Sequence, residues 1–335
     1  MTDDRARHFI ETSRFMAARD FLVMGRDTGG RVPQRTGGRV SQHDGGRVSQ
    51  DTRGDTAQCA GAAPDTPAVV VFGAPLDTTT SFRSGARHGP RAIREYSYVL
   101  ETFSMRTGQD LEKIPLFDAG DVDLAPGEVG PALDKICDAV RVILKKGGSP
   151  LMLGGEHLVT LPAVQAVHAA YPGLQVIHID AHADMRLQYL GQELTHAGVM
   201  RRVSAIVGRE NVYSAGIRSV SADEHEYASS LAANLSTSLG ALMDFAARAG
   251  KRPVYLTIDI DVVDPAFAPG TGAPEPGGPS SRELLEAVAT LHGLDIVAAD
   301  IVEVAPQYDH AGITAALAAK VAREVIMMMA RAPAS

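Results

Sequence analysis

The sequence predicts an α/β protein whose core is a parallel sheet covered on both faces by helices. Two patterns predict it. Short β-branched runs such as Val69-Val70-Val71-Phe72 recur along the chain and end in Gly, Asp or Pro, and longer stretches of helical period follow them. Continuous apolar runs suit strands buried on both faces, and strands alternating with helices suit parallel connections. A third observation concerns chemistry. Carboxylates and imidazoles cluster directly after several of these runs, where sheets of this kind bind their ligands.

The 335-residue chain divides into an N-terminal extension, residues 1–66, and a domain over residues 67–335. Residues 5–24 are expected to form a short helix. Residues 28–51 carry an eight-residue repeat, with Gly-Gly-Arg-Val beginning at Gly29, Gly37 and Gly45. One apolar residue per unit cannot build a core, so this insert is expected to be flexible and solvated. Order is expected from Val69. Strands are expected at 69–72, 114–118, 150–153, 175–179, 212–216, 254–258 and 296–301. The clearest helix spans Pro131 to Lys146, with Leu133, Ile136, Cys137, Val140, Ile143 and Leu144 on one face. Pro131 suits its first turn, the lysines its last, and Gly147-Gly148 stop it. Ser280 followed by Glu283 is a capping-box signature for a helix ending at Gly293. Residues 238–249 repeat the amphipathic pattern. Residues 312–330 are apolar on most sides and are expected to be a packed closing helix.

Composition narrows the function. With 45% hydrophobic and 21% charged residues the chain is ordinary globular protein, and its net charge of −8 offers no basic face for nucleic acid. Two cysteines far apart, Cys59 and Cys137, fit a cytoplasmic protein without a disulfide framework. The N-terminal residues contain no apolar signal region, and no window reaches the about 18 apolar residues of a membrane span.

The chemistry-bearing residues follow the strands. Residues 175–179 run into Asp180-Ala181-His182-Ala183-Asp184, residues 254–258 into Asp259-Ile260-Asp261, residues 151–153 into Gly154-Gly155-Glu156-His157, and residues 296–301 lead to Glu303. In near-extended backbone, residues two apart point the same way, so Asp180, His182 and Asp184 can converge, as can Asp259 and Asp261. Four facing carboxylates repel unless cations neutralise them. Carboxylate and imidazole ligands without thiolate suit manganese, iron, nickel or zinc. His178 is taken to lie off the ligand alternation, as a core or supporting residue.

These blocks resemble the ureohydrolases, the arginase and agmatinase family, from about residue 69 to the C-terminus. The resemblance rests on GGEH at 154–157, DAHAD at 180–184, TIDIDVVDPAFAPGTGAPEPGG at 257–278 and DIVEVAP at 300–306. The block SFRSGARHGPRAIREYS at 81–97 is most similar to bacterial and archaeal agmatinases. The resemblance implies a three-layer α/β/α arginase-like fold with a central, mostly parallel sheet. It implies two Mn2+ per chain, held by His157, Asp180, His182, Asp184, Asp259 and Asp261. Asp180 and Asp259 would bridge the ions, and His182 and Asp261 would bind only the second. Glu303 would hold the guanidinium. Asp184 would double as a proton donor, and His196 would be the proton shuttle. A homotrimer or homohexamer is implied. Leu158 and Thr257 replace residues usual in the family pattern, and neither removes a ligand.

The resulting expectation is an agmatinase that converts agmatine and water to putrescine and urea. Residues 185–196, MRLQYLGQELTH, lack the serine- and asparagine-bearing loop with which arginases hold an amino-acid head group. A guanidinobutyrase, or another guanidino-acid ureohydrolase using Arg186 as the tail cation, is the alternative enzyme. Glu193 is the residue able to approach a distal ammonium, although a solvated loop position suits it better. A catalytically idle polyamine-binding relative is the alternative from another class, and the intact ligand set argues against it.

Overall fold

A computed structural model describes residues 9–10, 14–20, 68–229 and 234–330 of the chain. Its centre is one sheet. The strands are β1 (Phe9–Ile10), β2 (Arg19–Asp20), β3 (Ala68–Ala74), β4 (Leu116–Val122), β5 (Gly148–Gly154), β6 (Gln175–Ile179), β7 (Val212–Ala215), β8 (Leu235–Ser236), β9 (Pro253–Asp259) and β10 (Asp295–Val302). They lie in the order β1-β4-β3-β5-β10-β9-β6-β7-β8, with β2 also on β4. Every pairing is parallel except that of β1 with β4.

Alternate residues of the buried strands feed opposite faces. Val69, Val71, Leu151, Leu153, Ile177, Ile179, Leu256 and Ile258 join one core, and Val70, Phe72, Met152, Val176 and Tyr255 join the other. Helices α1 (Gly89–Ser97), α6 (Ala241–Ala249), α7 (Ser281–Ala289) and α8 (Ile313–Met329) contribute to the first core. Helices α2 (Val129–Lys145), α3 (Thr160–Ala170) and α4 (Val199–Val207) contribute to the second. The architecture is the expected three-layer α/β/α sandwich. Helix α2 buries Leu133, Ile136, Cys137, Val140 and Ile143, and Gly147 beyond its end has φ 75. Both halves of the capping box form at α7: Ser280 receives the Glu283 amide, and Glu283 receives the Ser280 amide. Helix α8 packs on α1, α7 and β10 at once, which explains a surface apolar almost all round. No helix among the described residues is long and apolar enough to cross a membrane.

The structure corrects the short helix expected at 5–24. Residues 9–10 and 19–20 of that stretch are strands on the outer edge of β4. Between them Phe15 and Met16 are buried, with the Phe15 amide donating to Asp118 Oδ2 at 2.7 Å and the Met16 amide to Ser97 Oγ at 2.8 Å. An open sheet edge offers a full row of backbone partners, and that tertiary gain outweighs local helical periodicity. The strand expected at 114–118 is displaced to 116–122 because its polar end is neutralised. Arg94 of α1, fully buried, pairs with Asp118 through Nε at 2.9 Å and with Asp121 through Nη1 at 2.5 Å. Helices α1, α3, α4 and α5 (Ala222–Ser229) are additions to the sequence expectation. The repeat at 28–51 and Cys59 lie outside the described residues.

Strand order determines where ligands can bind. The chain passes from β5 over β10 and β9 to reach β6, then returns to β9 and β10. The four central strands are in register, with Leu153, Ile301, Ile258 and Ile179 in one row. Their carboxyl ends therefore finish side by side at a point where the winding reverses, the crevice that open α/β sheets use.

Candidate metal centre

Each of those four ends delivers polar side chains. Asp180 follows β6, and its amide still bonds to Ala215 O at 3.1 Å, which keeps the chain nearly extended. Its Oδ1 accepts the His182 amide at 2.6 Å. Asp259 closes β9 and turns the chain by accepting the Asp261 amide at 2.9 Å. Arg218 pins that turn from outside, donating to Asp261 O at 3.0 Å and Val262 O at 2.9 Å. His157 follows β5, and its amide donates to Glu303 Oε1 beyond β10 at 2.8 Å. Asp184 and Glu303 have φ 52 and 64, a left-handed backbone that non-glycine residues seldom adopt and that collects at functional sites.

The side chains form two groups. In the first, His157 Nδ1 lies 3.0 Å from Asp180 Oδ2, 3.0 Å from Asp184 Oδ2 and 3.4 Å from Asp259 Oδ2. Nδ1 is buried and makes no hydrogen bond of proper geometry to any of them. In the second, His182 Nδ1 lies 2.9 Å from Asp261 Oδ2 and 3.6 Å from Asp180 Oδ1. Asp180 thus gives one oxygen to each group. Among the described residues Asp180, His182 and Asp261 also meet the spacing of a metal site, as do His157, His178 and Asp180.

Protonation tendencies show the same deficit of positive charge. Burial, followed by neighbouring carboxylates, raises Asp259 well above the usual range, and burial raises Asp261 against the opposing charge of His182. Burial opposes charge on His157, yet Asp180, Asp184 and Asp259 outweigh it and raise its pKa well above normal. Burial and then Glu156 push Glu303 to about 8. A buried imidazole nitrogen without a hydrogen-bond partner, facing three carboxylate oxygens, fits a divalent cation, and the charge of two such cations reverses these tendencies.

Supporting contacts fix the ring orientations. His157 Nε2 meets Thr257 Oγ1 at 3.0 Å, leaving Nδ1 for the centre. His178 stands two residues before Asp180, so it shares that face of the strand and does not lie off the alternation. Its Nε2 contacts Asp180 Oδ2 at 2.8 Å and its Nδ1 contacts Ser214 Oγ at 3.0 Å. His182 is partly exposed to a cavity that Asp184, His196 and Glu303 also line. Burial lowers the His196 pKa.

Several wall residues escaped the sequence reading. Thr80 and Phe82 come from the loop after β3, and Tyr189 and Glu224 complete much of the mouth. The positional rule that located the other residues, the end of a parallel strand, also applies to Thr80 after β3. Glu156 is fully buried, and burial pushes its pKa to about 7 while Thr79 and Thr80 donate to its Oε2. Arg186 lines the cavity with its Nε 3.5 Å from Glu224 Oε2 and its guanidinium over the Tyr189 ring. Glu193 is exposed and is not among the cavity-lining residues.

Comparison with known proteins agrees with the fold. A model of the arginase family matches residues 67–328. An agmatinase of Bacillus anthracis is 45% identical over 263 residues, covering 77% of this chain and 91% of that protein. The structure of proclavaminate amidinohydrolase from Streptomyces clavuligerus superposes with a TM-score of 0.74 at 36% identity, covering 79% of this chain and 93% of that one. That of agmatine ureohydrolase from Thermoplasma volcanium superposes with a TM-score of 0.70 at 32% identity, covering 80% and 92%. The chain belongs to the arginase family.

Proposed function

We propose that this protein is an agmatinase, a hydrolase of guanidino carbon–nitrogen bonds that converts agmatine and water to putrescine and urea. The observation that carries the reading is the pair of carboxylate–imidazole groups sharing Asp180, set in a cavity that Glu303 also lines. The 45% identity to an agmatinase supports the choice of substrate. His157, Asp180, Asp184 and Asp259 would hold one manganese ion, and Asp180, His182, Asp259 and Asp261 the other. The absence of thiolate and the share of carboxylate ligands favour manganese. A cytoplasmic homotrimer or homohexamer is part of the proposal.

Bound there, the two cations supply Lewis acidity that ionises water near neutral pH. The protein groups do the rest. Glu303 gives one lone pair of Oε1 to the His157 amide and retains Oε2 for the guanidinium, whose planar fork matches a carboxylate. Water adds to the guanidinium carbon and gives a proton to Asp184, and the bond to the alkyl nitrogen breaks. Asp184 passes a proton to that nitrogen, and His196 exchanges protons with solvent. At the mouth, Arg186 is already engaged by Glu224 and stacked on Tyr189, so it is a poor receptor for a carboxylate tail. That favours agmatine over guanidinobutyrate and arginine.

Urea release from agmatine, arginine and guanidinobutyrate at saturating manganese tests the proposal. Burial of an unpaired carboxylate is costly, so agmatine should exceed arginine in kcat/KM by at least about 100-fold. Equal or better turnover of arginine would overturn it. Preference for guanidinobutyrate would transfer the assignment to a guanidino-acid hydrolase.

A further inference from the structure

We propose that Thr79 is a positioning residue for His196, holding the imidazole so that Nε2 is the atom that exchanges protons with the cavity. The proposal rests on the reading of His196 as the proton shuttle.

Three loops meet at Thr79. It belongs to the loop after β3, and its amide donates to Oε2 of Glu156 in the loop after β5 at 2.8 Å. The neighbouring Thr80 hydroxyl donates to the same oxygen at 3.3 Å. Glu156 is fully buried and directly precedes His157, so Thr79 is anchored to a buried residue beside the centre. From that anchor, Thr79 Oγ1 accepts the backbone amide of His196, in the loop after β6, at 3.0 Å, and stands 3.2 Å from His196 Nδ1. One hydroxyl therefore restrains both the backbone and the ring of the same residue.

The ring contact matters because rotation about the Cβ–Cγ bond of histidine is roughly two-fold. The two ring flips exchange Nδ1 with a carbon, and they exchange Nε2 with a carbon as well. A polar partner for Nδ1 selects one flip. Nε2 then occupies a defined place on the far side of the ring from Thr79, and His196 lines the cavity beside Asp184 and Glu303. The Tyr189 ring meets the imidazole edge-on, centroids 5.9 Å apart, and limits tilting.

The hydroxyl oxygen has two lone pairs. One receives the His196 amide, and the other can accept from a protonated Nδ1. With its proton held on Nδ1, the neutral ring leaves Nε2 unprotonated. The ring can then gain and lose a proton at Nε2 while keeping its contact with Thr79 in both states.

Steady-state kinetics of the manganese-loaded enzyme test this. Thr79→Val keeps the shape and removes the hydroxyl, and the loss of one hydrogen bond of about 1 kcal/mol corresponds to roughly five-fold. We expect kcat to fall at least about five-fold with KM and manganese content unchanged, and Thr79→Ser to restore it to within about two-fold. On a His196→Asn background, Thr79→Val should cost nothing further. Should Thr79→Val fail to fold, Thr79→Ala, which leaves room for water, carries the same test. Full kcat in Thr79→Val with a slow His196→Asn enzyme overturns the positioning role alone. An equal loss from Thr79→Val on the His196→Asn background also overturns it, because Thr79 would then act independently. Full activity in His196→Asn overturns the shuttle reading, and this proposal with it.

Discussion

In the proposed function Glu303 is the residue that would join the metal centre to substrate binding. Its Oε1 accepts the His157 amide, and a Cβ placed on Gly272 would lie 3.3 Å from its Oε2, so the loop after β9 closes tightly over it. Glu303→Gln should keep the carbonyl contact to His157, and so the metals, while turning an amide donor toward a guanidinium that has only donors to offer. A desolvated charge pair is worth about 2–5 kcal/mol, so kcat/KM for agmatine should fall about 30-fold or more at unchanged manganese content. Near-normal kinetics would remove Glu303 from the guanidinium site. The contrast between visible and hidden residues has a physical basis. His157, Asp180, His182, Asp184, Asp259, Asp261 and Glu303 stand out because each follows an apolar strand at spacings that chemistry restricts. Thr79, Glu156 and Glu224 act through hydrogen bonds to segments distant in sequence, and no periodicity records such contacts. Arg186 is visible as a cation, but its partner Glu224, 38 residues away, is visible only in three dimensions.

The same distinction holds for whole elements. Strand β6 is found where its apolar run predicts, because a strand buried on both faces must be continuously apolar. Helix α7 begins at its capping box for an equally local reason. Strands β1 and β2, two residues each, have no pattern of their own and exist only because β4 offers an edge. Arg94 is the joint between these levels. It lies on α1, neutralises Asp118 and Asp121 of β4, and Asp118 also accepts the amide of Phe15. Arg94→Met should keep much of the volume but leave two carboxylates buried without their cation. Breaking a buried pair from one side costs about 3–5 kcal/mol, and urea unfolding should show it as a lower midpoint. A midpoint unchanged from wild type would mean that Asp118 and Asp121 are neutralised by other means.

For the molecule as a whole, the metal centre sits where four central strands end, so bound cations would link β5, β6, β9 and β10 as well as serve the reaction. Four carboxylates that repel without cations become cross-links with them. Chelation should therefore abolish urea release and also lower Tm by roughly 5 °C or more, and manganese should restore both. Full urea release by a thoroughly metal-free preparation would exclude the binuclear reading. The edge strands have a different consequence. Asp20 ends β2 beside Asp118, and Val71 of β3 flanks Asp118 on the opposite edge of β4. At strand spacings of about 4.8 Å and about 3.3 Å per residue, Asp20 and Ala68 lie within about 15 Å of each other. The two described residues that flank the 21–67 segment therefore lie at nearly one place on the sheet. Such a geometry is an insertion port. A fluorescent domain with adjacent termini, put in place of residues 28–51, should fold alongside an enzyme whose kcat/KM stays within about two-fold of wild type. A fusion that is soluble and metal-loaded but inactive would instead mean that the replaced segment contributes to the site or to assembly.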